Sequence, residues 1–93
     1  MADKNVTVTI GNTISVNPDP VVLKKNQDKA RWVNDDGTEF AIVLPAGNDE
    51  PTCGLQGGKY VCTSKTFGTV GTIKYTVTSP SKPDLDPEVE VVP

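Results

Sequence analysis

Histidine is absent from this sequence of 93 residues, and the only methionine is Met1. Without an imidazole, no serine or threonine can be activated by the usual general base. The sequence also has no G-x-S-x-G motif, and its glycines precede no predicted helix that could cradle a phosphate. We therefore expect a protein that is not an enzyme, with no catalytic residues, no metal ligands and no cofactor.

Long apolar runs are also missing, since no segment approaches the roughly 20 residues that a membrane helix needs. The first ten residues contain no apolar core of the kind found in signal peptides. We expect no membrane insertion. The chain is then either cytoplasmic or, if it is cut from a longer precursor, periplasmic or secreted. The net charge of −3 argues against a nucleic-acid surface.

What the sequence does contain is characteristic of short strands and turns. Eight glycines and eight prolines occur with many valines and threonines, while aromatic residues make up only 5%. A chain of this length forms one domain, here residues 1–93, and we expect a monomer. Its core should be modest and mainly aliphatic.

Alternation of apolar and polar residues predicts seven or eight strands and gives no helical period. The predicted strands are residues 5–10, 14–16, 21–23, 30–33, 39–43, 60–67, 72–78 and 88–92. Residues 45–59 and 79–87 are predicted to be loops because of their composition, the first as a surface flap. This pattern predicts an all-β fold, an antiparallel sandwich or barrel.

Residues 30–43 carry the only tryptophan, Trp32, and read as two strands joined by a tight polar turn. The Asp36-Gly37 pair supplies the positive φ values that such turns need. Phe40, Ile42 and Leu44 then share one face of the following strand. We expect the core to include Trp32, Ile42, Ile73, Tyr75 and Val91.

The order of these segments resembles the cupredoxins, the blue-copper Greek-key sandwiches. The matching pieces are an opening strand, a proline with a short apolar strand, a turn, a Trp-Val-Asn-Asp strand end, a flap, a Phe…Gly-Thr-x-x-Tyr segment, a ligand loop and an apolar last strand. In this chain they are residues 6–10, 20–23, 26–29, 32–35, 45–59, 67–75, 79–87 and 89–92. The resemblance spans nearly the whole chain and implies a cupredoxin-like Greek-key sandwich. The alternative is an immunoglobulin-like or fibronectin-like sandwich, which has a similar strand count and a tryptophan on an inner strand.

The resemblance does not extend to the copper site, which needs two imidazoles, a thiolate and a weak axial thioether. The positions of the family's four ligands are occupied here by Phe40, Val77, Lys82 and Leu85. None can bind copper in that geometry. We therefore expect a domain without the blue-copper site, in which Phe40, Val77 and Leu85 fill the former pocket and add to the core.

Cys53 and Cys62 are the only cysteines, and they flank a segment that could fold back through Gly57 and Gly58. They could form a structural disulfide, remain as two buried thiols, or act as a redox pair. A redox role lacks the C-x-x-C spacing at a helix start. A small redox protein that uses this pair is therefore the alternative to a structural or protein-interaction module.

Acidic residues cluster in the polar turn after Trp32, at Asp35, Asp36 and Glu39 where the next strand begins, and in the predicted loop 79–87, at Asp84 and Asp86. Such oxygen-rich turns can bind calcium, but no EF-hand spacing is present and solvated turns are the simpler account. In the cupredoxin resemblance, these two loops lie at the end of the sandwich that faces partners. The five residues are therefore our predicted surface for an unidentified protein partner.

Overall fold

The computed structural model describes residues 2–93, and these residues form ten β-strands and no helix. Since they contain no helix, they contain none that is long and apolar enough to cross a membrane. The strands are β1 (Ala2–Ile10), β2 (Ile14–Asn17), β3 (Val21–Lys24), β4 (Asp28–Asn34), β5 (Ala41–Val43), β6 (Thr52–Gln56), β7 (Lys59–Thr63), β8 (Gly71–Lys74), β9 (Thr76–Thr78) and β10 (Glu88–Val92).

Five strands form the first layer, in the order β2-β1-β4-β7-β6. The pairs are antiparallel except for β1 and β4, which run parallel with Val6 opposite Trp32. Strand β4 lies at the centre of this sheet. Strands β2 and β6 are its two edges.

The second layer consists of two small sheets, β3-β10-β8 and β5-β9. Strand β10 is parallel to β3 and antiparallel to β8. Only Tyr75 separates β8 from β9, and its backbone N–H donates to the carbonyl of Pro87 at 3.0 Å. The chain therefore passes from one small sheet to the next at Tyr75.

One hydrophobic core lies between the layers, and apolar residues of both contribute to it. Strand β4 shows how it is built, because its residues alternate between buried and half-buried along all seven positions. Trp32 has no exposed surface, and the core includes Val6 from β1 and Leu23, Val89 and Val91 from the second layer. The all-β, sandwich-like architecture expected from the alternation is therefore present.

The expected core is largely confirmed. Trp32, Tyr75 and Val91 are at most 1% exposed and Ile42 is 6% exposed, whereas Ile73 is partly buried at the margin of the core. Phe40, Ile42 and Leu44 do share the inward face, with Leu44 partly buried.

The predicted strand count was too low, for two physical reasons. The flap, residues 45–59, was predicted to be a loop, but it contains β6, which pairs with β7 through the turn at Gly57 and Gly58. The predicted strand 72–78 is divided at Tyr75, where pairing with β10 gives way to pairing with β5.

The two strands of residues 30–43 do not pair with each other. Strand β4 pairs with β1 and β7, whereas the next strand, β5, begins only at Ala41 and pairs with β9 in the other layer. The polar turn exists, and Gly37 has a φ of +75°. It carries the chain across the sandwich rather than closing a hairpin.

Candidate functional site

Three loops meet at one end of the sandwich, which we call the loop end: residues 34–39, 57–58 and 79–84. The first follows β4, the second joins β6 to β7, and the third follows β9. The Oγ atom of Ser79 donates to the carbonyl of Glu39 at 2.7 Å, which ties the first loop to the third. The first loop also touches the second, because a Cβ on Gly37 would lie 2.7 Å from the carbonyl oxygen of Gly58.

Asn34 holds the first loop in shape although it is only 1% exposed. Its Oδ1 accepts backbone N–H groups from Asp36 at 3.0 Å and Thr38 at 2.9 Å, while its Nδ2 donates to the carbonyl of Val8 at 3.0 Å. Asparagine commonly organises turns by accepting backbone bonds just downstream. Here the same side chain also anchors the turn to β1.

A shallow hollow of about 380 Å³ lies where the first and third loops meet. Its lining combines β5 and β9 with the loops that adjoin them: Glu39, Phe40, Ala41, Thr78, Ser79 and Pro80. Phe40 is 2% exposed, and its ring meets the ring of Tyr60 edge-on at 5.4 Å between centroids. The floor of the hollow is therefore apolar and almost fully covered, while its rim includes the polar side chains of Glu39, Thr78 and Ser79.

Four of the five predicted surface residues lie in loops of this end. Asp35, Asp36, Glu39 and Asp84 are all exposed, and Asp35 forms an ion pair with Lys59 at 3.2 Å. Asp86 is exposed too, but its carboxylate accepts a bond from the Thr76 hydroxyl at 2.9 Å. Thr76 is at the start of β9 and pairs with Val43, so Asp86 lies along the strand rather than at its end.

Three of the four residues that the expected resemblance placed at ligand positions belong to a single apolar cluster. Phe40 and Val77 are buried and Leu85 packs against them partly buried, with reciprocal backbone bonds between Val77 and Leu85 at 2.8 and 3.1 Å. Lys82 instead lies in the turn that its N–H closes onto the carbonyl of Ser79. Within residues 2–93, no three acidic or cysteine side chains are placed to hold a metal ion.

Cys53 and Cys62 form a disulfide between β6 and β7. The two residues face each other in the antiparallel pair, with their Cα atoms 4.0 Å apart. Cys62 is completely buried, whereas Cys53 is exposed on the edge strand. The fold-back through Gly57 and Gly58 is confirmed, and the pair of buried thiols is not what the structure contains.

Trp32 and Tyr75 connect the two layers beneath the loop end. The indole N–H of Trp32 donates to the hydroxyl of Tyr75 at 3.0 Å, and their rings lie 5.2 Å apart. Burial raises the pKa of Tyr75 to about 12, with a smaller contribution from the charge of Asp19, although the bond from Trp32 opposes the rise. The contact is structural, since both side chains are at most 1% exposed.

Sequence reasoning did not assign a role to Asn34, Ser79 or Leu55. For Asn34 a signal was present, because asparagine directly before Asp-Asp-Gly is a common start of a side-chain-stabilised turn. For Ser79 there was none, since its partner Glu39 is 40 residues away in sequence. Leu55, at 69% exposed, stands out only once β6 is known to be a strand.

Comparison with solved structures shows a likeness of fold. No family model matches the sequence, and no curated protein matches it. Among solved structures, the crystal structure of the cysteine protease inhibitor EhICP2 from Entamoeba histolytica is similar, with a TM-score of 0.57 and 16% identity. The match covers 98% of this chain and 96% of that one. At this identity, the likeness shows a shared fold alone.

Proposed function

We propose that this protein is a non-catalytic protein-interaction module, built on a cupredoxin-like Greek-key sandwich without a copper site, and that its loop end binds the partner. The observation that carries the proposal is the bond between Ser79 and Glu39. It joins two loops that are distant in sequence into one acidic surface around an apolar floor. Binding residues commonly occupy loops that a rigid scaffold positions in this way.

The strand pairing supports the cupredoxin-like interpretation over the alternative. Immunoglobulin-like sandwiches are built from antiparallel sheets. This chain instead has one parallel pair in each layer, β1 with β4 and β3 with β10. The apolar cluster of Phe40, Val77 and Leu85 agrees with a ligand pocket that has been filled by side chains.

A cysteine protease is a specific candidate for the partner. The support is the likeness to a cysteine protease inhibitor over nearly the full length of both chains. Inhibition would require no catalytic group of this protein, only a rigid surface that occupies the protease. The loop end offers such a surface.

The redox alternative depends on the Cys53–Cys62 disulfide. Its support is that Cys53 is exposed on an edge strand, where a thiolate can reach its sulfur. Against it, Cys62 would leave as a thiolate from a completely buried position, where burial disfavours the charged form. A reversible couple near −200 to −270 mV against glutathione or thioredoxin would favour the redox role over the structural one.

The disulfide also bears on where the protein works. Disulfides persist in oxidising compartments and are rare in the cytosol. We therefore propose that the protein meets its partner in the periplasm or outside the cell.

Charge reversal at the loop end tests the interaction proposal. The double variant carries Asp36→Lys and Asp84→Lys. Because both positions are exposed, its thermal midpoint should change little. Its affinity for the partner should fall at least tenfold, because the charge of the surface is reversed. The matched control is Asp3→Lys with Glu90→Lys, two exposed positions on β1 and β10 with the same charge change.

Two assays measure the effect of the charge reversal on partner binding. Immobilised wild-type and variant proteins are incubated with an extract of the source cells, and the retained proteins are quantified by mass spectrometry. In parallel, each protein is added to papain acting on a fluorogenic peptide. Equal retention by wild type and the loop-end variant would refute the proposed surface, and an unchanged papain rate would remove papain-like proteases as the partner.

A further inference from the structure

Strand β6 is an unprotected sheet edge. Its five residues, Thr-Cys-Gly-Leu-Gln, contain no charge and no proline, and none of them is buried. Proteins usually protect sheet edges with lysines, prolines or very short strands. The opposite edge, β2, is followed directly by Pro18 and Pro20, and the edge strand β3 ends at Lys24.

The register shows which backbone groups are free. Gly57 and Gly58 form a two-residue turn, so the flanking residues Gln56 and Lys59 form a hydrogen-bonded pair. Hydrogen-bonded and non-hydrogen-bonded pairs then alternate along an antiparallel ladder. The N–H and C=O groups of Cys53 and Leu55 consequently point away from β7, towards the open edge. Among residues 2–93, no loop backbone bond reaches either residue.

Burial does not hold β6 in place. The most apolar side chain on the strand, Leu55, is 69% exposed. The strand is held by its ladder with β7 and by the disulfide from Cys53 to the buried Cys62. A strand that contributes nothing to the core is therefore covalently fixed in an extended conformation. Because β6 is already ordered, it loses little conformational entropy of its own when another strand pairs with it.

Charges around the strand indicate what would pair with it. Asp49 and Glu50 precede β6 at one end, while Asp35 and Asp36 lie beside its other end, where Asp35 pairs with Lys59. A second copy paired antiparallel would bring the acidic end of one molecule to the acidic end of the other. A segment with an uncharged centre and basic flanks would instead meet opposite charges at both ends.

We propose that β6 docks an extended segment of a partner protein, uncharged in its centre and flanked by lysine or arginine, which joins the five-stranded sheet as a sixth strand. The backbone groups of Cys53 and Leu55 supply the hydrogen bonds, and the exposed Leu55 side chain contacts the segment's apolar residues. Main-chain bonds give affinity in this mode of recognition, and side chains give selectivity. This surface adjoins the loop end and shares Asp35 and Asp36 with it, but its backbone groups and Leu55 are not changed by the loop-end charge reversal.

The test uses the intact oxidised protein and a synthetic peptide of alternating threonine and valine with lysines at both ends. Binding is measured by fluorescence anisotropy, and the binding site by amide hydrogen exchange. We expect protection to increase at the amides of Cys53 and Leu55 but not at those of Thr52 and Gln56, which already bond to β7. The same peptide with glutamates at its ends should bind at least tenfold more weakly.

Two variants at one position separate docking from folding. Leu55→Pro removes the outward N–H and leaves the bonds to β7 in place, so peptide affinity should fall at least tenfold with little change in thermal midpoint. Leu55→Lys keeps the N–H but places a charge on the edge, and it should also weaken binding. Ser15→Lys, on the exposed edge strand β2, is the matched control and should bind like wild type.

Four outcomes would overturn the proposal. They are no binding of the lysine-flanked peptide at about 1 mM, wild-type affinity in Leu55→Pro, equal weakening in Ser15→Lys, and protection that does not alternate along β6. A dimer of the free protein that Leu55→Pro dissociates would make the occupant a second copy instead. Failure of the loop-end charge reversal is distinguishable from failure here, because the variants at Leu55 and Ser15 change no residue of the loop end.

Discussion

Strands β4 and β6 belong to the same sheet but are kept in place by different forces. Strand β4 is central, alternates between buried and half-buried positions, and carries Trp32 with no exposed surface. Strand β6 lies at the edge with no buried residue, only two strands away. Burial holds the first, whereas a ladder to one neighbour and a disulfide hold the second.

The difference teaches that the centre of this sheet provides stability, whereas its β6 edge is available for recognition. A substitution in a buried central strand destabilises the core, and the backbone N–H and C=O groups of that strand are already paired with two neighbouring strands. A substitution in an exposed edge strand changes stability little, and its outward backbone N–H and C=O groups remain available to another strand. The following predictions test this division, from the largest expected effect to the smallest.

Truncation of the two strands' most prominent apolar side chains should give the largest contrast. Trp32→Ala on β4 should lower the free energy of unfolding by about 3–5 kcal/mol, because it opens a large cavity and removes the partner of Tyr75. Leu55→Ala on β6 should change it by less than about 0.5 kcal/mol. Urea titration followed by far-UV circular dichroism measures both. Similar losses of unfolding free energy in the two variants would contradict this division between β4 and β6.

Reduction of the disulfide should release β6 and leave β4 in place. The loop-entropy model gives about 3 kcal/mol for a bridge that spans this separation of nine residues. In the reduced protein, amide exchange should accelerate strongly at residues 52–56 and only slightly at residues 28–34. Uniform acceleration would show instead that β6 unfolds together with the core.

Tyr75 makes the core sensitive to high pH. Its pKa is about 12 in the folded protein and about 10 when unfolded, so only the unfolded state loses the proton between these values. The contribution of Tyr75 to the free energy of unfolding is therefore fully present below pH 10. About 2 kcal/mol of it is lost as the pH rises to 12. Urea titrations in that range should show this decline in wild type, and Tyr75→Phe should lack this component. An identical decline in both proteins would contradict the assignment.

Contact between the first and second loops should give the smallest of these effects. Gly37→Ala places a Cβ 2.7 Å from the carbonyl oxygen of Gly58 at a φ of +75°, so it incurs both backbone strain and a clash. We expect a loss of about 2 kcal/mol. Gly47→Ala is the matched control, because it also has a positive φ but no atom within 4 Å, and it should lose about 1 kcal/mol. Equal thermal midpoints would show that the loops do not support each other.

Much of the fold could be predicted from the sequence because alternation is a local property. The alternating valines of β1 and β10 and the apolar residues around Trp32 marked strands that the structure contains. Strand β6 could not be found in this way, because a strand exposed on both faces has no alternation between apolar and polar residues. The only sequence features that indicated it were Gly57-Gly58 and the two cysteines, and these predicted a fold-back within a loop rather than a strand.

The candidate site was predicted in part. The acidic residues of two loops were identified correctly as exposed, but Asp86 lies along β9 because Thr76 holds its carboxylate. The proximity of Glu39 to Ser79 depends on the pairing of β5 with β9, which no local pattern specifies. The prediction of a turn after Trp32 was right, whereas its reading as a link between adjacent strands was wrong.

The sequence by itself determined that the chain forms short strands around an aliphatic core and that it has no histidine for imidazole chemistry. These follow from residue types and their spacing, which act over a few neighbouring positions. Only the tertiary structure decided that the turn after Asn34 crosses between layers and that the edge strand β6 is held by a cross-strand disulfide. Both depend on which strands pair, and pairing is set by burial and backbone bonding between residues far apart in the chain.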